Sequence, residues 1–419
     1  MPQPQALPRF LHPFAKPTRE RFITVARGEG ARIYDIDGNE YIDGMASLWY
    51  CAIGHGRRDM ADAISRQVGT IEAYSAFDPF TTRIADELCE RIADLSPVRD
   101  ARVFLCNSGS EAVDSAMKLA RLAHVQAGRP ERTLIISRGR GYHGTNYGGT
   151  SAQGIPPNRA GYGPLVGDVM HVEPDDIEGL AKVMSENSER LAAVISEPVQ
   201  GAGGVYPPAD GYLQQLRRLC DQHGAYLIFD EVITGFGRLG TWFGAQHFGV
   251  TPDLLTFAKA VTSGYQPLGG VILSRAVCDP LEADSGFLLR HGYTYSGHAT
   301  ACAAALTNLD IIEREGLLER AVHIGQRLES GLGALAADGM IDHARGRVAV
   351  WAAAHKPGID PFVVRDRMLA AGAITRALNT DTNSFCPPLV ITDNELDRLI
   401  DVFATTTAAV AVEAGQVTK

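Results

Sequence analysis

Two residues with complementary chemistry stand at the ends of neighbouring apolar runs. The run 226–229 (YLIF) stops abruptly on Asp230, and a second run, 254–257 (LLTF), leads into Lys259 between Ala258 and Ala260. Aromatic and β-branched runs of this length read as strands buried in a parallel sheet. The carboxyl ends of such strands are where open α/β sheets bind ligands. The chain has 33 arginines but only six lysines (Lys16, Lys118, Lys182, Lys259, Lys356 and Lys419), and only Lys259 lies among small residues at a strand end. A desolvated lysine has a lowered pKa and forms a Schiff base with an aldehyde. An interior aspartate beside a snorkelling lysine accounts for these two residues equally well, so the rest of the chain decides.

The elements that must position the pair follow from patterning. Residues 25–45 alternate polar and apolar around Asp37-Gly38-Asn39, which is a hairpin. Trp49 and Tyr50 stand beside a glycine-rich bend as core anchors or pocket walls, with a core place favoured. Residues 57–72 and 81–94 have helical spacing, with Phe77 and Phe80 in the loop between them. From Asp100, a strand over 101–106 runs through Asn107-Ser108-Gly109-Ser110 into an amphipathic helix over 111–126. Free N–H groups at such a helix start form an anion site, although a plain serine cap gives the same signature.

The next strand, 133–137, is followed by Gly139, Gly141 and Gly144 in the dinucleotide spacing G-x-G-x-x-G. That motif must open a helix, and the following stretch is too rich in glycine and proline for one. What remains is a loop carrying Tyr142 and His143. A strand over 191–196 ends on Glu197-Pro198, and a helix over 211–223 feeds the Asp230 strand. Polar groups therefore stand at successive strand ends: Ser108, Tyr142, Glu197, Asp230 and Lys259. One active site at a parallel sheet's edge explains all five. Pyridoxal phosphate fits them, since it brings an aldehyde for a lysine and a ring nitrogen that needs an acid partner.

At 419 residues the chain exceeds one typical core. The expected organisation is an N-terminal segment (1–99) contributing to a small domain, a large cofactor-binding domain (100–336) and a C-terminal part (337–419) completing the small one. With 45% hydrophobic and 21% charged residues it is a globular soluble profile, and a net charge of −10 argues against nucleic acid or an anionic membrane as partner. The proline-rich start lacks a signal peptide's apolar core, and no apolar run spans a membrane. Seven scattered cysteines without a CxxC pair indicate reduced thiols in a cytoplasmic protein. His291 and His298 lack a third ligand at suitable spacing, so no metal is expected.

With these residues in place, the chain resembles the class III, fold-type I pyridoxal phosphate aminotransferases from about residue 20 to residue 413. The most specific stretch runs from Asp230 to Gly270. The resemblance implies an α/β fold in which a large domain with a mainly parallel sheet joins a small α+β domain formed by both termini, in an obligate homodimer with shared sites. It implies that Lys259 carries the cofactor's Schiff base and Asp230 bonds its pyridine nitrogen. Val232 and Tyr142 would flank the ring, Glu197 would lie near the phenolic oxygen, and Gly109 and Ser110 would hold the phosphate, with Thr294 reaching in from a second subunit.

Trp49, GYHG at 141–144 and SGYQPLGG at 263–270 look most like the ω-amine:pyruvate branch. That branch implies ping-pong transfer of an amino group from an ω-amino acid or primary amine to pyruvate. Trp49, Phe77, Tyr142, Thr145, Ala202 and Arg376 would then line the substrate pocket. The alternatives are another class III activity and, more distantly, a nicotinamide-dependent dehydrogenase built on the glycines at 139–144.

Overall fold

Seven strands form the central sheet of the computed structural model, which describes residues 7–415. Tyr226–Asp230 lies mid-sheet, parallel to Leu191–Ser196 on one side and to Leu254–Phe257 on the other. Leu134–Arg138 and then Val169–Val172 continue the parallel order outward. Beyond Leu254–Phe257, Gly269–Leu273 runs antiparallel and pairs with Arg102–Cys106 at the far edge. Every residue of the four inner parallel strands is buried. Both faces are covered, which is why these strands read as continuous apolar runs. Gly109–Gln126 packs on the sheet through Val113, Ala116, Met117 and Ala120, all buried.

Two smaller sheets bring the chain ends together. Val25–Glu29, Arg32–Asp35 and Glu40–Asp43 form an antiparallel meander whose last strand pairs in parallel with Ala373–Ile374. The other sheet joins His343–Arg347, Val350–Ala354, Thr382–Phe385 and Arg376–Leu378. The long helices Leu317–Ala337 and Asp393–Glu413 pack on each other. The second begins at a capping box in which Thr392 and Glu395 satisfy each other's backbone N–H.

Several elements depart from the sequence expectations. The expected hairpin over 25–45 has a third strand, because Gly30 turns the chain at φ +57. Val169–Val172 and the helix Ile177–Glu186 were not anticipated; a four-residue, half-exposed edge strand leaves little apolar signal. The glycine-rich stretch contains two short helices, Tyr147–Ala152 and Pro156–Arg159. The first is held by Asp114, whose carboxylate accepts the N–H groups of Gly148 and Gly149 at 3.4 and 2.8 Å. That bond is remote in sequence and outweighs local propensity. The helix still starts beyond Gly144, so the glycine motif does not open it. Among the described residues no helix is long and apolar enough to cross a membrane. Residues 1–6 of the proline-rich start lie outside the described residues.

Candidate active site

The strand ends meet at a cavity of about 440 Å³ whose lining includes Ser108, Tyr142, Glu197, Asp230 and Lys259. Parallel strands place their carboxyl ends on one edge, so residues far apart in sequence converge there. Asp230 is 5% exposed and held from three directions. Its Oδ2 is 2.8 Å from Nδ1 of His143, and its Oδ1 accepts from the Val232 N–H and the Thr256 hydroxyl, each at 3.2 Å. A carboxylate has about four acceptor sites, so one remains for a donor in the cavity.

Lys259 opens a one-turn 3₁₀ helix with φ +51, a conformation that side-chain-bearing residues seldom adopt. It is partly exposed, and it lines the cavity. Burial pushes its ammonium pKa down; Asp230 and Glu197 oppose that, and the Arg376 cation adds to it. An amine kept closer to neutrality is the form that attacks an aldehyde.

At the other end, Ser108 caps Gly109–Gln126, its hydroxyl accepting from the Glu111 N–H at 3.2 Å. The N–H groups of Gly109 and Ser110 have no partner within the helix. Ser110 Oγ accepts the Thr145 N–H at 3.0 Å. Gly144, at φ +94, lets this loop close in, since a Cβ there would stand 2.6 Å from Ser110 Oγ. A Cβ on Gly109 would meet Val232 at 2.9 Å, so glycine brings the helix start against that side chain. Glu197 is buried and accepts the N–H groups of Tyr142 (3.1 Å) and Gly201 (3.2 Å). Burial raises its pKa to about 7, against the pull of His143.

The expected substrate residues divide. Trp49 is 4% exposed in an apolar cluster with Met45, Val205 and Ile233, against which Ala202 packs. The Arg376 guanidinium lies 4.9 Å from the Trp49 ring centre. It is near enough to Tyr142 and Lys259 to act on both ionisations. Among the described residues no carboxylate pairs with it. Thr145 is exposed and lines an adjoining hollow with Phe14 and Tyr147. Of the expected substrate residues only Tyr142 lines the cavity itself; Trp49, Ala202 and Arg376 stand behind that lining. Phe77 and Thr294 are also outside it: Phe77 is 54% exposed beside Gly292, and Thr294 lies in an exposed turn.

Sequence reasoning named His143 without a role, favoured a core place for Tyr50 over a pocket wall, and missed Thr256. Strand pairing aligns Thr256 with Asp230, and Tyr50 packs on Gly264 to form a cavity wall. His143 sits beside Tyr142 in the strand-end loop, a signal that was available.

The donor set matches pyridoxal phosphate. An open acceptor on Asp230 suits a ring N–H, a desolvated amine suits an aldehyde, and unpaired N–H groups at a helix start suit a phosphate. The fold and this constellation define a fold-type I pyridoxal phosphate enzyme. The model of the aminotransferase class-III family matches residues 14–407. The chain is 38% identical over 406 residues to a β-alanine–pyruvate aminotransferase of Pseudomonas aeruginosa, covering 90% of each. It is 36% identical to a diaminobutyrate–2-oxoglutarate transaminase of Halomonas elongata, covering 90% of this chain and 88% of that one. A thermostable (S)-enantioselective ω-transaminase from Thermomicrobium roseum superposes with a TM-score of 0.91 at 36% identity, covering 96% of each chain. The chain belongs to the class III aminotransferases, and is a pyridoxal phosphate-dependent transaminase.

Proposed function

We propose that this enzyme moves the amino group of an ω-amino acid or primary amine to pyruvate, in two half-reactions. The observation that carries this reading is the Arg376 guanidinium, without a carboxylate partner among the described residues, over Trp49 in an otherwise apolar cluster. Burial disfavours its charge, and an unpaired, partly desolvated cation is costly. A keto acid's carboxylate supplies a bidentate partner, while an amine without a carboxylate needs none. The names of the Pseudomonas aeruginosa and Thermomicrobium roseum relatives support the same branch.

When bound, pyridoxal phosphate supplies a cationic ring that draws electrons from the substrate's Cα–H bond. In this reading Asp230 holds the ring-nitrogen proton, itself oriented by His143, Thr256 and the Val232 N–H. Lys259 Nζ takes the proton from the substrate Cα in one half-reaction and returns one in the other. Gly109 and Ser110 would hold the phosphate, Val232 and Tyr142 would confine the ring, and Glu197 would lie near the phenolic oxygen. Two copies would share their sites, Thr294 reaching the partner's phosphate. Exposed Tyr74, Phe77, Phe80 and Tyr295 supply apolar surface for that contact. Seven free cysteines, six of them buried, agree with a cytoplasmic setting.

Cofactor absorbance followed through each half-reaction tests the reading. β-Alanine or a primary amine should convert the cofactor, and pyruvate should restore it faster than 2-oxoglutarate does. Preference for 2-oxoglutarate would move the enzyme to another branch of the family.

A further inference from the structure

We propose that Asp43, with His55 as its second anchor, is the positioning residue that sets the Trp49–Arg376 pair and thereby the enzyme's affinity for its carboxylate-bearing acceptor. The inference rests on the acceptor reading above. Asp43 is 1% exposed and belongs to both arms of the pair. Its backbone, at the end of Glu40–Asp43, pairs with Ile374, two residues before Arg376. The next residue, Gly44, lies so close to that strand that a Cβ would stand 2.3 Å from the Ile374 carbonyl oxygen. Its side chain holds the segment that presents Trp49. Oδ1 accepts the Met45 N–H at 3.0 Å, Oδ2 accepts the Ser47 N–H at 2.6 Å, and Oδ2 is 2.9 Å from Nε2 of His55.

That segment needs holding. Ala46, Ser47 and Trp49 have φ of +46, +58 and +63, in a region side-chain-bearing residues seldom occupy. Such conformations persist only where the surroundings over-determine them. The strain brings the Trp49 indole under the Arg376 guanidinium and turns Tyr50, whose hydroxyl accepts from Ser47 Oγ at 2.5 Å, into the cavity wall. His55 is fixed in turn: its backbone bridges to Gly30, its Cβ packs on Gly28, and its Nδ1 lies 3.5 Å from Cys51 Sγ. Without Asp43 the segment relaxes toward ordinary φ, and Trp49 no longer supports the cation from below.

Asp43→Ala, His55→Ala, His55→Gln and Arg376→Ala are compared as holoenzymes, each half-reaction measured separately and melting temperatures recorded. The expected result is a rise in the pyruvate KM of about tenfold for Asp43→Ala, the scale of one charge-assisted hydrogen bond. A smaller rise of about threefold is expected for His55→Ala, which removes one of three donors, and the small-amine half-reaction should stay within about twofold. Glutamine at 55 can still donate to Asp43, so His55→Gln should recover most of the affinity. A lower melting temperature with an unchanged pyruvate KM overturns the inference, as does an equal fall in both half-reactions, or a glutamine no better than alanine. Should Asp43→Ala fail to fold, the two His55 variants decide. If Arg376→Ala leaves the pyruvate KM unchanged, the acceptor reading itself has failed. Asp43 is then judged on whether its loss relaxes discrimination between bulky and small amines at Trp49.

Discussion

Asp230→Asn tests the chemistry with little change in shape. The carboxylate has three acceptor positions filled within the chain and one facing the cavity. An asparagine keeps the size but offers one oxygen and one NH₂. The oxygen is claimed by the Val232 N–H and the Thr256 hydroxyl, so the NH₂ falls where Oδ2 stood. His143 can accept from it by changing tautomer, and the fold should hold. What disappears is an anion facing the ring N–H, where a hydrogen bond to a charged group contributes about 1.5–3 kcal/mol. If that contribution is felt mainly as the reaction's charge develops, the rate falls roughly 10- to 150-fold, at 1.4 kcal/mol per decade. Single-turnover absorbance with saturating amine measures it, and the cofactor's spectrum shows that it still binds. A loss below about tenfold, with cofactor bound, would remove Asp230 from the role assigned to it.

The remaining predictions concern the other named groups. Lys259→Ala should abolish multiple turnovers while leaving the melting temperature within a few degrees; near wild-type turnover contradicts the proton-transfer role. Arg376→Ala should raise the pyruvate KM at least about tenfold, the loss of a charge-assisted pair, while amine conversion barely changes; equal effects on both put the carboxylate elsewhere. Glu197 and Glu231, both buried, bind protons up to about pH 7 against an ordinary 4.5, so the folded chain holds protons that the unfolded chain has released. Stability of the cofactor-free protein should therefore decline as pH rises from about 4.5 to about 7. Glu197→Gln should flatten that decline, and parallel melting curves for the two proteins would refute the cause. Sedimentation should show a dimer at assay concentration; a fully active monomer would rule out a shared site.

The sequence by itself determined the layers and the pair at the centre. Buried parallel strands must be apolar on both faces, so 191–196, 226–229 and 254–257 were visible as unbroken runs, and the polar residue ending each stood out. The helices expected over 111–126 and 211–223 recur as Gly109–Gln126 and Tyr212–His223.

Only the tertiary structure decided what depends on contacts between distant residues. Asp114 makes a helix of the glycine-rich stretch after Gly144, and local propensity cannot see it. Thr256 reaches Asp230 through strand register. The unusual backbone at Ala46, Ser47, Trp49 and Lys259 is likewise held by surroundings that a linear pattern does not contain. The sequence thus showed which groups could react, while sheet order and a few remote hydrogen bonds determined which way they face. Side-chain direction is set by packing across the fold, and hydrophobic periodicity records only which face is buried.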